Sequence, residues 1–190
     1  MEEQAIQLQD PALMARTGGR PLRRVVFTEE QIGQRVREMG AAITAHYPPD
    51  ANLLVLGLLK GSFIFMSDLV RHIDLPLQLD FLVASSYGSG TTSSGEVEFL
   101  YNPTAPIRDR HLLLIEDIVD SGNTINQLAR SLEKSRPASL ELCALLHKHV
   151  APELAIEPRW VGFDAPPEFL VGYGLDHAEN FRHLPVVASI

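Results

Sequence analysis

Short apolar runs alternate with segments of helical periodicity, and this alternation constrains the fold more than any other feature of the chain. The predicted strands are 53–56, 77–85, 96–101, 111–115 and 140–146. The predicted helices are a segment from Thr28 to the residue before Pro48, residues 63–73 and residues 121–132. This order predicts an α/β fold with a mostly parallel sheet and right-handed crossovers. Ligands of such sheets bind at the carboxyl ends of the strands.

Length, charge and cysteine content limit the number of domains, the binding partners and the cellular compartment that this chain can have. The 190 residues fit one domain better than two, and we expect a loosely attached arm (1–24) followed by a single domain (25–190). The formal net charge of −8 argues against general binding of nucleic acid through a basic surface. Cys143 is the only cysteine, so no intrachain disulfide can form, which is typical of a reducing cytoplasm.

The N-terminal residues and the length of the apolar runs both indicate where in the cell the protein is located. The chain begins Met-Glu-Glu-Gln and shows neither the basic nor the apolar segment of a secretory signal. The longest strongly apolar run, 53–59, is far too short to cross a bilayer. We therefore expect a cytoplasmic protein without a membrane partner.

An acidic segment that contains glycine follows the predicted strand 111–115. Its polar residues and glycine are Glu116, Asp117, Asp120, Ser121, Gly122, Asn123 and Thr124. Consecutive backbone N–H groups, two hydroxyl groups and a helix N-terminus together suit a phosphate dianion. Carboxylates would repel that phosphate unless ribose hydroxyl groups or a magnesium ion offset their charge. The segment therefore favours a sugar phosphate that carries a metal-bound diphosphate.

Helix capping is the simpler interpretation of part of this segment. Asp120 or Ser121 would suit the N-cap of the helix that follows. Capping does not explain Glu116 and Asp117 at the end of a buried strand, where a charge without a partner is costly.

Four segments together resemble the type I phosphoribosyltransferases. Residues 116–124 resemble the signature that binds phosphoribosyl diphosphate (PRPP), and residues 59–62 resemble the diphosphate-binding turn. Residues 85–96 resemble the mobile loop, and residues 169–176 resemble the base-binding segment. The resemblance covers roughly residues 25–187 and is greatest for the hypoxanthine-guanine subfamily. It implies a mostly parallel central sheet flanked by helices, with a small hood formed by the N- and C-terminal segments.

The resemblance implies that Lys60, Gly61 and Arg182 bind diphosphate, and that a cis peptide bond joins Leu59 to Lys60. Glycine at position 61 would allow the backbone to approach the ligand closely. From the residues alone, Lys60 fits equally well on a plain surface turn, and Arg182 fits in a surface salt bridge.

The same resemblance assigns Ser86 and Tyr87 to a loop that covers the reaction centre. A segment so rich in Gly, Ser and Thr cannot pack a core and is otherwise typical of a disordered hairpin tip. Closure of the loop would exclude water, which would otherwise hydrolyse a sugar cation.

Lys148, Phe169 and Leu170 are the purine-binding residues that the resemblance implies. Lys148 would donate to the oxygen at purine position 6, whereas the amino group of adenine would face it donor to donor. Phe169 would stack on the purine and the Leu170 backbone would bond its edge. Without the family, Lys148 is typical of a surface residue and Phe169 of a buried strand. His147 and His149 lack an evident third metal ligand.

Magnesium is the implied cofactor, with Asp176, Glu116 and Asp117 as the implied metal ligands. Asp120 is the candidate catalytic base, which would remove a purine proton at N7. The implied reaction transfers 5-phosphoribosyl from PRPP to N9 of hypoxanthine or guanine, giving IMP or GMP and diphosphate. The expected partners are PRPP, 6-oxopurine bases and further copies of the chain in a homodimer or homotetramer.

Three alternatives stay open. A xanthine-preferring or pyrimidine phosphoribosyltransferase would share the phosphate loop and differ around Lys148 and Phe169. A non-catalytic regulator, including one that binds RNA, is disfavoured by the net charge and by the presence of Asp120, Lys148 and Asp176. A general sugar-phosphate binder would leave the segment that begins at Phe169 unexplained.

Overall fold

The computed structural model describes residues 10–86, 97–101 and 104–190. Its helices are α1 (Pro11–Arg16), α2 (Glu29–His46), α3 (Phe63–Val70) and α4 (Asn123–Glu133). Its strands are β1 (Arg24–Phe27), β2 (Leu53–Leu59), β3 (Leu77–Ser86), β4 (Val97–Tyr101), β5 (His111–Val119), β6 (Ser139–His147), β7 (Pro158–Asp164), β8 (Leu170–Val171) and β9 (Val187–Ser189). No helix in these ranges is long and apolar enough to span a membrane.

Six strands form the central sheet in the order β4-β3-β2-β5-β6-β7. Every neighbouring pair is parallel except β3 and β4, which are antiparallel. The expected α/β fold with a mostly parallel sheet is therefore confirmed. The sequence pattern does not predict β7, because residues 148–157 before it form no helix and the alternation of strand and helix is lost there.

Alternate residues of the central strands enter two core clusters, one on each face of the sheet. Leu53 and Val55 of β2 pack in the cluster that contains residues of α2 and α3. Leu54 and Leu56 pack in the cluster that contains residues of α4. Because helices cover both faces, positions 53–58 of the strand are all buried, which explains the continuous apolar run. Each fully buried leucine stabilises the fold by roughly 1.5–3 kcal/mol relative to an exposed one.

The two long helices begin differently. α2 begins as predicted, because the Thr28 hydroxyl oxygen accepts from the Gln31 N–H at 3.2 Å and the Gln31 side chain accepts from the Thr28 N–H at 2.9 Å. α4 begins at Asn123, later than the predicted start at Ser121. Its N-cap is Gly122, with φ of +78°, which has no side chain to accept a bond from the first turn.

β5 extends beyond its predicted end at Ile115. Glu116 pairs with Ala144 and Ile118 pairs with Leu146 of β6 in parallel register. The predicted strand end at Ile115 is therefore too early, because ladder pairing continues although the side chains become acidic. Both acidic residues at positions 116 and 117 are fixed within a strand.

The N- and C-terminal segments form a separate antiparallel sheet in the order β1-β9-β8, which confirms the expected hood. α1 packs against this sheet, since Leu13 is buried in one cluster with Val25, Phe181 and Val186. Most of residues 10–24 are exposed, and Leu13 and Thr17 are the buried residues among them. The sequence shows an apolar residue at position 13 but not the hood cluster that covers it.

Candidate active site

Three adjacent parallel strands place three of the predicted site residues at one edge of the sheet. β2, β5 and β6 are neighbours, and Lys60, Asp120 and Lys148 directly follow their last residues. The Lys148 N–H donates to the Val119 carbonyl oxygen at 3.0 Å, which extends the pairing of β5 and β6 past the end of β6. The carboxyl edge is therefore the candidate site, as expected for a parallel sheet.

A close contact between three chain segments forms the floor of the site. The peptide bond between Leu59 and Lys60 is cis, as the resemblance implies, and Gly61 follows it. A Cβ atom on Gly61 would lie 1.8 Å from Asp117 Oδ2. A Cβ atom on Gly174, whose φ is +103°, would lie 2.0 Å from the Gly61 carbonyl oxygen. Glycine at both positions allows the turn after β2, strand β5 and the segment after β8 to meet.

Glu116 and Asp117 are acidic groups held largely away from water. Glu116 is 8% exposed, and its Oε2 atom has no hydrogen-bond partner among the described residues. Burial, followed by repulsion from Asp117, raises the pKa of Glu116 well above its usual range. Burial also raises the pKa of Asp117 to about 6, against the opposing effects of the Ile118 N–H, which donates at 2.9 Å, and of Arg182. Such perturbed groups in a cleft are typical of functional sites.

The donor set at this floor fits a magnesium ion. The orphaned Glu116 Oε2 and the Asp117 carboxyl group supply only oxygen atoms, and the charge of Asp176 contributes to raising the pKa of Asp117. No cluster of three or more metal-binding side chains occurs in the described ranges. An ion here would take its remaining ligands from water and substrate oxygens, which is the usual way in which proteins bind Mg²⁺.

Asp120 and Lys148 form an ion pair at the mouth of the site. Lys148 Nζ lies 2.8 Å from Asp120 Oδ2. The Asp120 side chain is 51% exposed and the Lys148 side chain is 18% exposed, so the carboxylate is the more open partner. A pair of this exposure contributes about 0–1 kcal/mol, and a ligand can separate or bridge it at small cost.

Glu179, which sequence reasoning missed, lies between the two basic residues expected to bind diphosphate. Lys60 Nζ is 3.0 Å from Glu179 Oε1, and Arg182 Nη2 is 3.5 Å from Glu179 Oε2. Arg182 also contacts Asp176 at 2.7 Å and donates to the Gly174 carbonyl oxygen at 2.8 Å. The structure therefore brings Lys60 and Arg182 together through a shared carboxylate. The one sequence feature that indicates the contact between Glu179 and Arg182 is their separation by three positions.

The candidate phosphate loop, residues 120–124, ends in the first turn of α4. Ser121 and Asn123 are exposed, and Thr124 is partly buried. Gly122 is buried and left-handed. The loop thus presents backbone N–H groups and two hydroxyl groups at the N-terminus of an 11-residue helix, where the dipole favours an anion.

Leu170, expected to bind the base, lies in the hood strand β8, and Phe169 directly precedes it. The Phe169 ring is 54% exposed and meets the His177 ring edge to face, with centroids 5.5 Å apart. Leu170 is buried in β8. Within the described ranges, no hydrogen bond or ring contact joins Phe169 or Leu170 to Lys148, so the structure does not bring these three into direct contact.

The expected mobile loop lies mostly outside the described residues. Ser86 is the last residue of β3, whose antiparallel partner β4 begins at Val97. Tyr87 lies in the range 87–96, outside the described residues. The role expected of Ser86 and Tyr87 therefore stays a prediction.

The two histidines beside Lys148 form a packed pair. The rings of His147 and His149 lie with centroids 3.8 Å apart, and His149 Nε2 is 2.6 Å from Asp164 Oδ1. Burial, followed by the neighbouring His149, lowers the pKa of His147.

Comparison with known proteins defines the class first. The chain belongs to the phosphoribosyltransferase family, because residues 26–178 match its phosphoribosyl transferase domain. A solved structure of a hypoxanthine phosphoribosyltransferase from Staphylococcus aureus superposes with a TM-score of 0.86, at 37% identity and over 96% of each chain. This match confirms the type I phosphoribosyltransferase fold.

The relatives also define the subfamily. A hypoxanthine-guanine phosphoribosyltransferase of Dictyostelium discoideum is 44% identical over 171 residues, which are 88% of this chain and 95% of the relative. A hypoxanthine phosphoribosyltransferase of Escherichia coli (strain K12) is 41% identical over 167 residues, which are 87% and 94% of the two chains. The chain is thus a transferase whose relatives are the hypoxanthine(-guanine) phosphoribosyltransferases, enzymes of purine salvage.

Proposed function

We propose that this protein transfers the 5-phosphoribosyl group of PRPP to N9 of hypoxanthine or guanine, giving IMP or GMP and diphosphate. The observation that carries the proposal is the contact between Lys148 and Asp120, whose Nζ and Oδ2 atoms are 2.8 Å apart. On a 6-oxopurine, the oxygen at position 6 and N7 lie on one edge. In the tautomer of the free base that carries its proton on N7, that oxygen accepts and the N7–H donates, so an ammonium group beside a carboxylate matches the edge. Adenine would instead present an amino donor to Lys148, which has no acceptor.

The hood would complete the purine pocket. The exposed Phe169 ring offers a face for stacking on the base, and the Leu170 backbone would bond the base edge. Ser86 and Tyr87 would belong to the loop that covers the reaction centre and excludes water.

The remaining site residues would bind the sugar phosphate. The 5′-phosphate would lie on the phosphate loop, Asp120, Ser121, Gly122, Asn123 and Thr124. The diphosphate would be bound by Lys60, Gly61 and Arg182, and would displace the Glu179 carboxylate from the two cations. Asp176, Glu116 and Asp117 would hold Mg²⁺. When bound, Mg²⁺ neutralises charge on the leaving diphosphate.

The chain's own groups then assist three events. The floor and phosphate loop hold the ribose so that its anomeric carbon faces N9 of the purine. Glu116 and Asp117 would position the ribose hydroxyl groups, directly or through the metal ion. Asp120 accepts the purine proton at N7 while Lys148 holds the oxygen at position 6.

We further propose that the protein assembles as a homodimer or homotetramer. Phe63, Leu79 and Phe81 are large apolar side chains with substantial exposure. Leu79 and Phe81 are two residues apart on β3 and so lie on one face of the sheet. Exposed apolar groups near each other are typical of interaction surfaces, and light scattering on the purified chain would measure the assembly.

An absorbance assay with PRPP and Mg²⁺ tests the proposed reaction. Hypoxanthine, guanine, xanthine, adenine and uracil are offered separately to the wild type and to Lys148→Met, which keeps the side-chain length and removes the ammonium group. We expect turnover of hypoxanthine or guanine, silence with adenine, and a higher KM for the purine in Lys148→Met.

Two results would contradict the proposal. Turnover of adenine or uracil in preference to the 6-oxopurines would show that Lys148 does not select the base. Binding of PRPP without turnover of any base would leave a PRPP-binding regulator as the better interpretation.

A further inference from the structure

The side chain of Asn126 bonds to the backbone of the segment between β6 and β7. Asn126 Nδ2 donates to the Glu153 carbonyl oxygen at 3.1 Å, and Asn126 Oδ1 accepts from the Ala155 N–H at 2.6 Å. The Asn126 backbone N–H donates to the Gly122 carbonyl oxygen at 2.8 Å, so the residue lies one turn above the start of α4. We call residues 151–155 the strap. Both polar groups of one amide thus fix the strap to the first turn of α4.

The strap covers the turn that begins α4. Leu154 lies between the two bonded strap residues, and its Cδ2 atom would be 2.4 Å from a Cβ atom on Gly122. The Ala151 Cβ atom would be 3.3 Å from the same point. Leu154 also packs against the core cluster that contains Ile125. The leucine therefore occupies the space that a side chain at position 122 would need.

Gly122 sets the direction of the phosphate loop. Its φ of +78° turns the chain from β5 into α4 and aims the N–H groups of the first turn at the candidate phosphate position. Glycine reaches many other conformations at no steric cost. A neighbour packed on its Cα atom therefore restricts it to the one that the loop needs.

We propose that Asn126 is a positioning residue for the 5′-phosphate: it fixes the strap, and the strap holds Leu154 on Gly122 and so keeps the phosphate loop in its binding conformation. The inference rests on the proposed function, since it assigns a role to a residue that supports the phosphate loop. Asn126 itself does not touch substrate in this arrangement. Its effect should fall on phosphate binding and spare the Lys148 side of the site.

Calorimetry with ribose 5-phosphate tests the proposal directly, because this probe carries the phosphate and lacks diphosphate and base. We expect Asn126→Ala to raise the Kd for ribose 5-phosphate and the KM for PRPP by about tenfold, the scale of two lost hydrogen bonds. The KM for hypoxanthine should stay within about twofold, because residues outside the strap and the phosphate loop, Lys148 and Phe169, would bind the base. Leu154→Ala should give the same pattern by removing the covering side chain, and Leu154→Met should restore most of the affinity.

Arg130→Ala is the matched control, since Arg130 is exposed on the same helix. Equal Kd values for ribose 5-phosphate in wild type and Asn126→Ala would overturn the proposal. So would an equal rise in the KM for PRPP and the KM for hypoxanthine, since that indicates a purely structural role. If Asn126→Ala does not fold, the Kd values for ribose 5-phosphate of Leu154→Ala and Leu154→Met test the proposal in its place. If the wild type itself binds neither ribose 5-phosphate nor PRPP, the proposed function fails first, and the inference fails with it.

Discussion

Replacement of Asp120 by Asn separates its proposed chemical role from its structural one. The change keeps the shape of the side chain and removes the group that would accept the purine proton. Loss of a positioned general base lowers turnover by about 10²- to 10⁴-fold. We therefore expect Asp120→Asn to reduce kcat by at least about 100-fold.

The structure also limits the other effects of this substitution. Asp120 is 51% exposed, and its ion pair with Lys148, at 2.8 Å, belongs to the class worth up to about 1 kcal/mol. The free energy of unfolding should therefore change by no more than about 1 kcal/mol. In this variant Lys148 no longer has to break its ion pair with Asp120 before it bonds to the purine. The KM for hypoxanthine should therefore stay constant or fall by up to about fivefold.

Steady-state absorbance kinetics at saturating PRPP and Mg²⁺, together with urea unfolding, measure these quantities. Asp50→Asn, an exposed carboxylate before β2 at the opposite end of the sheet, is the control and should behave as the wild type. A kcat for Asp120→Asn within about tenfold of the wild-type value would refute Asp120 as the base. A fall in kcat accompanied by a large loss of stability would refute the assignment of a local chemical role.

Three further substitutions test other parts of the site. Gly61→Ala should lower kcat/KM for PRPP by at least about tenfold. The new Cβ atom would lie 1.8 Å from Asp117 Oδ2 and would push this carboxyl group off the Ile118 N–H that donates to it. Unchanged kinetics would contradict the close contact. Glu179→Gln should lower the KM for PRPP by about two- to fivefold, because the Glu179 carboxylate, which competes with the diphosphate for Lys60, loses its charge. An increased KM would show instead that Glu179 helps to bind substrate. The pKa of His147 is lowered by burial, so the unfolded chain binds its proton at a higher pH than the folded chain, and stability is lost as the pH falls below the unfolded value of about 6.5. Urea unfolding of His147→Gln between pH 7 and pH 5 should show a weaker loss than the wild type, and identical pH dependence would contradict this reasoning.

The elements that local rules determine were predicted well. The β2 run is apolar at every position because both faces are covered, and the α2 start follows from a capping box complete within Thr28–Gln31. The α4 start was placed too early, because Gly122 is the N-cap in a left-handed conformation that no side-chain capping pattern indicates. β7 was missed because the helix that normally precedes a parallel strand is absent from residues 148–157.

Single site residues were easier to predict than their mutual contacts. The family resemblance indicated Lys60 and Lys148, and the acidic segment indicated Asp120. The structure shows that each directly follows the end of a strand and that the parallel sheet brings those ends together. Glu179 and Asn126 carry no motif. Their roles arise from hydrogen bonds and ion pairs between segments that only the folded chain brings together.

The hood has a consequence for the order in which the protein folds and opens. Its middle strand β9 pairs with β1 across nearly the whole length of the chain, Arg24 opposite Ser189. Loop closure over such a distance is entropically costly, so this sheet should assemble after the six-stranded sheet and open first in hydrogen exchange. Phe169 lies directly before β8 of the hood, whereas Lys148 projects from the central sheet. A purine held between these two residues would therefore link the hood, which opens first, to the central sheet, which opens last. Bound substrate would then slow hydrogen exchange in the hood.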